Sequence, residues 1–67
     1  MMDKEFTERI TYIEGELRRA GYDPYEQLSA FVRTQDERYI TRSGDARRLI
    51  LELELNQLTK YVSHMKP

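Results

Sequence analysis

The residues best suited to chemistry in this 67-residue chain are three arginines, Arg42, Arg47 and Arg48, set around the turn Ser43-Gly44-Asp45. A guanidinium is a rigid, planar fork of N–H donors, and several together suit a carboxylate or phosphoryl group. The competing use of the same groups is ion pairing with Asp36, Glu37 or Asp45, or with a facing subunit. Other reactive types are sparse. His64 is the single histidine, and cysteine is absent, so neither a catalytic triad nor a Cys/His metal site can be assembled. Glu14 and Glu16, like Glu52 and Glu54, are two residues apart and do not share a helical face; both pairs read as solvated edges rather than paired acids and bases. Glycines 15, 21 and 44 match neither a dinucleotide loop nor a Walker loop. The residues therefore name no catalytic, cofactor-binding or metal-binding position, and the chain reads as a non-enzyme with Arg42, Arg47 and Arg48 as a candidate anion contact.

The scaffold holding those arginines must be small. Residues 1–67 amount to one helical domain with an ordered core of about 4–62, and a chain this short buries only about 60% of its unfolded surface. Without disulfides or a metal, association with another chain is the expected supplement. Lys and Arg number 11 against 12 Asp and Glu, for a net charge of −1. That balance lacks the basic surplus that draws proteins to nucleic acid or anionic lipid. No apolar run approaches the roughly 20 residues of a membrane span, and the charged N-terminus is not a signal peptide. The chain reads as cytoplasmic.

Apolar spacing predicts three main helices. Phe6, Ile10, Ile13 and Leu17 form one stripe of a first helix over about 4–20, with Asp3 as N-cap and Gly21 as the left-handed C-cap. Gly15 lies inside it, either for a close backbone contact or as a tolerated surface glycine. A second helix starts at once: Asp23 is the N-cap, Pro24 the first helical residue, and Glu26 sits at capping-box spacing. Leu28, Phe31 and Val32 give its buried face, with Tyr25 at the edge, and Thr34-Gln35-Asp36 forms its exit or a new cap. Residues 36–44 admit either an extended stretch or one helical turn, anchored by Tyr39 and Ile40.

A last helix is expected from Ser43 or Asp45 to about Val62. Leu51-Glu52-Leu53-Glu54-Leu55 alternates as a strand would, but leucine and glutamate are helix formers and β-branched residues are scarce there. On a helix, Leu49, Ile50, Leu53 and Tyr61 take one face and Leu51, Leu55, Leu58 and Val62 an adjacent one. A stripe that wide exceeds what a small domain covers, so Leu51, Leu53, Leu55, Leu58 and Val62 form a candidate interface for an isologous homodimer. The expected architecture is all-α, a compact bundle of three main helices with a short irregular connection. The alternative is a helix-turn-helix-like nucleic-acid-binding or antitoxin-like module built on 24–34 and 46–62. Its connection is longer than the usual 3–4-residue turn, and Glu52 and Glu54 would enter the groove.

Gly21-Tyr22-Asp23-Pro24, Gln27, Phe31-Val32, Thr34, Asp36, Tyr39-Ile40, Arg42, Ala46-Arg47 and Ile50 form an ordered, ungapped pattern. In that pattern the chain resembles the IreB family of small regulatory phosphoproteins of Gram-positive bacteria. The resemblance implies a helical, homodimeric, non-enzymatic regulator without cofactors. It further implies a transmembrane Ser/Thr protein kinase and its phosphatase as partners, and a role in the cell-envelope stress response. The family's phosphoacceptor threonines precede the first helix, whereas this chain begins almost at that helix. Thr7 falls inside it by register, so the phosphosite is left unassigned.

Overall fold

The structure, a computed structural model, describes residues 4–42 and 44–65. Among them are four α-helices and one 3-10 turn: α1 (Lys4–Arg19), α2 (Pro24–Thr34), the 3-10 turn Glu37–Tyr39, α3 (Ala46–Ile50) and α4 (Leu55–Ser63). No strand occurs among the described residues, and no helix there is long and apolar enough to cross a membrane.

α1 forms around the stripe its spacing predicts, with Phe6, Ile10, Ile13 and Leu17 all buried. Its acidic Glu5 and basic Arg18 and Arg19 lie at the ends favoured by the helix dipole. It ends in a Schellman motif. Gly21, at φ +91°, donates to the Arg18 carbonyl at 3.0 Å and Tyr22 to that of Leu17 at 3.0 Å. Asp3, the expected N-cap, lies outside the described residues. The space beside Gly15 is open, which settles the choice in favour of a tolerated helical glycine. Gly15→Ala is therefore expected to raise stability by about 0.5–1 kcal/mol; a chemical-denaturation midpoint that does not rise would contradict this.

α2 begins where expected, with extended Asp23 before it and Pro24 as its first residue. The Asp23 side chain makes no capping hydrogen bond, so the capping-box geometry read from Glu26 is not formed; Pro24 contributes the start through its fixed φ. At the other end Gln35 takes the left-handed conformation at φ 59°, and Asp36 opens the 3-10 turn by accepting from the Arg38 amide at 3.0 Å. The 34–36 segment is thus both an exit and a new cap. Within the segment expected to be either extended or helical, residues 36–40 combine both: one 3-10 turn, then an extended Ile40; Ser43 lies outside the described residues.

The last helix departs from the reading above. It breaks into α3 and α4, and residues 51–54 are neither strand nor continuous helix. The amides of Glu52 and Leu53 close on the carbonyls of Leu49 and Ile50, ending α3 in a tight turn. Glu54 then caps α4, its carboxylate accepting from Asn56 N–H at 3.3 Å and Gln57 N–H at 2.9 Å. The buried residues explain the break. Ala46, Ile50, Leu58 and Val62 are all buried, yet on one straight helix Ala46 and Val62 would point roughly 160° apart at 3.6 residues per turn. Split in two, each half buries its own i, i+4 pair. The alternative architecture's second helix, 46–62, is interrupted by the same break into α3 of 5 residues and α4 of 9.

The wide apolar face divides accordingly. Leu58 and Val62 belong to the chain's own core, and Leu53 packs partly buried against it. Leu51 and Leu55 remain outside, 52% and 37% exposed.

Candidate functional site

The connection between α2 and α3 would be an exposed loop if three contacts did not hold it down. Ile40 is fully buried in the core. The amide of Thr41 donates to Gln27 Oε1 on α2 at 2.9 Å, and Arg47 Nε on α3 donates to the Ile40 carbonyl at 3.1 Å. Strand-like backbone lacking a neighbouring strand must satisfy its polar groups with side chains, and here Gln27 and Arg47 do so.

Two further contacts seat the turn after it. Ala46 is fully buried, and Gly44, at φ +57°, lies directly against the Glu16 carboxylate of α1, where any β-carbon would collide. Glu16 is itself buried and accepts from Arg19 Nη1 at 2.9 Å. Glu14 is also buried, and Tyr61 Oη donates to it at 2.7 Å. Both carboxylates therefore depart from the solvated edge expected of them. They point to opposite flanks of α1, and α4 covers one flank while the Gly44 turn covers the other. The aromatic ring of Tyr61 also meets Phe6 edge-on, with centroids 5.9 Å apart. Burial, then the hydrogen bond to Glu14, pushes the Tyr61 hydroxyl up to about 12.

The outcome is an open groove of about 470 Å³ lined by Arg42, Gly44, Asp45, Arg47, Arg48 and Leu51. All three arginines singled out in the sequence meet there. Arg47 is half-buried and anchored on Ile40. Arg48 is exposed and pairs with Asp45 at 3.2 Å and Glu52 at 3.4 Å. Exposed pairs of this kind are worth about 0–1 kcal/mol. Arg42 is exposed and has no ion-pair partner among the described residues. Asp36 does not join the groove's arginines. Its carboxylate is gripped by the Arg38 side chain, with Nη2 at 2.8 Å, and those hydrogen bonds hold it below the usual carboxylate range.

The other pattern residues are mostly architectural. Gly21, Asp23 and Pro24 form the α1–α2 corner, and Val32 packs partly buried on the core. Tyr22 and Tyr39 are half-exposed, at 48% and 49%. Thr7 lies on the exposed side of α1, and His64 is exposed with Nδ1 2.8 Å from the Lys60 carbonyl. No group of three His, Cys, Asp or Glu residues converges on a metal-sized site among the described residues.

Sequence reasoning missed the anchoring of Arg47 through Ile40, and the burial of Glu14 and Glu16. A signal for the first existed in principle: Gln27, Ile40 and Arg47 all fall in the ungapped pattern. A family model described as IreB regulatory phosphoprotein matches residues 1–64 of the chain, which takes in every residue of the groove. No solved structure matches the chain.

Proposed function

We infer the function from one premise: this chain belongs to the IreB family of regulatory phosphoproteins. Its role is accordingly regulatory rather than enzymatic. We propose, more specifically, that it is a substrate of a Ser/Thr protein kinase and of the opposing phosphatase. In this reading it acts as a homodimeric interaction module in the cell-envelope stress response, inside the cytoplasm. The observation that carries the proposal is the family match over nearly the whole chain, including the turn that assembles the three arginines.

The dimer has separate support. Leu51 and Leu55 are exposed at the turn between α3 and α4. About a two-fold axis the two leucines of one copy can meet the same pair on a second copy, which removes both from water.

Two measurements test the reading. Incubation with a cell-wall-sensing Ser/Thr kinase and ATP should add phosphoryl groups that intact mass and site mapping detect. A kinase that modifies a control protein but leaves this chain untouched removes the signalling proposal. Light scattering should return twice the 8.1 kDa chain mass. The double variant Leu51→Glu, Leu55→Glu should be monomeric with its helical circular dichroism intact, because both side chains lie outside the core. A wild-type monomer at the highest soluble concentration would overturn the dimer.

A further inference from the structure

We propose that the groove of Arg42, Arg47 and Arg48 binds a phosphorylated serine or threonine side chain presented on a polypeptide. The proposal rests on the phosphoprotein reading only in that such groups are then among the chain's natural partners. Its physical case is the groove itself.

Three guanidinium groups line the groove against one lining carboxylate, Asp45, and Glu52, which pairs with Arg48 from beside it, in a chain whose net charge is −1. The positive charge is therefore local, and a compact dianion suits it better than an extended polyanion, which would also run along Glu52. Arg47 is pre-organised, because Nε is fixed on the Ile40 carbonyl while its side chain lines the groove. A fixed fork loses little side-chain freedom on binding, which lowers the cost of association. Arg48 is held nearby by Asp45 and Glu52, but its side chain is 62% exposed and those pairs are screened. A phosphoryl group carrying about −1.5 to −2 charges and three acceptor oxygens competes with those two exposed carboxylates for it. Arg42 adds a third donor set from across the Gly44 turn.

The opening also exceeds a phosphoryl group in size, leaving room for neighbouring residues of the carrier. A free phosphate ion would leave that space unfilled.

The test is an NMR titration of the full 15N-labelled chain with three probes: a short phosphothreonine peptide, the same peptide unphosphorylated, and inorganic phosphate. The phosphopeptide should shift amides around residues 42–51, saturably and less strongly as salt rises. Arg42→Gln and Arg48→Gln, both surface changes, should each weaken binding about tenfold with circular dichroism unchanged. Glu52→Gln, which removes a competing partner of Arg48, should tighten it. Equal binding of the unphosphorylated peptide, or arginine variants that bind as wild type does, would overturn the proposal. Inorganic phosphate binding as tightly as the phosphopeptide would also overturn it, assigning the groove to a free anion. Because the phosphate is supplied on an external peptide, this outcome is independent of whether a kinase modifies the chain itself.

Discussion

Ile40→Ala is expected to lower unfolding stability by about 2–5 kcal/mol, the range for emptying a fully buried isoleucine site. A domain of this length has only about 3–10 kcal/mol in total, so the variant should be partly unfolded at ambient temperature. Ile40 is the one side chain among described residues 35–45 that is fully buried in the core, and its carbonyl receives Arg47 Nε. Removing its side chain loosens both the Thr41–Gln27 bond and the Arg47 anchor, and with them the spacing of the arginines. Urea denaturation followed by circular dichroism would measure the loss. Ile40→Val, a smaller deletion, should cost only about 0.5–1.5 kcal/mol. A change below about 0.5 kcal/mol in the alanine variant would show that the connection is not held by this side chain.

Tyr61→Phe is expected to cost about 1–3 kcal/mol although it removes a single oxygen. The ring remains to meet Phe6, so apolar packing is preserved. What is lost is the donor to Glu14, which is only 8% exposed and would remain buried without it. A double-mutant cycle with Glu14→Gln isolates the pairwise contribution; a coupling energy of zero would remove this explanation. The pH dependence has a definite sign. The folded state holds the hydroxyl protonated up to about 12, against an ordinary value of 10.0. That contribution is therefore complete below pH 10 and is lost as pH rises from there through about 12. The stability difference between wild type and Tyr61→Phe should shrink across that interval, a comparison that cancels the other four tyrosines.

The helix corner was legible because its determinants are local. Gly21 closes α1 through its own left-handed backbone, and Pro24 fixes the φ with which α2 starts. The apolar stripe of α1 was legible for a similar reason: a period of 3.6 written over sixteen residues leaves one face to bury. The stretch Leu51–Leu55 misled because leucine and glutamate favour a helix locally, whereas the turn there is enforced by burial on both sides of it. Glu54, a helix former by propensity, serves instead as the cap of α4. Glu14 and Glu16 misled in the opposite sense. Charged residues two apart on a helix ordinarily face water on at least one side, and only packing on both flanks of α1 buries the two together.

By itself, then, the sequence determined the all-helical class, the position of the first two helices, and the family to which the chain belongs. It also marked Arg42, Arg47 and Arg48 as the residues with chemistry to offer. Whether they meet depended on contacts between residues far apart in the chain. Thr41 reaches Gln27 across 14 positions, and Gly44 rests on Glu16. Hydrogen-bond satisfaction and close packing act on neighbours in space, so the arginine groove exists only once α1, α2 and α3 have closed around Ile40.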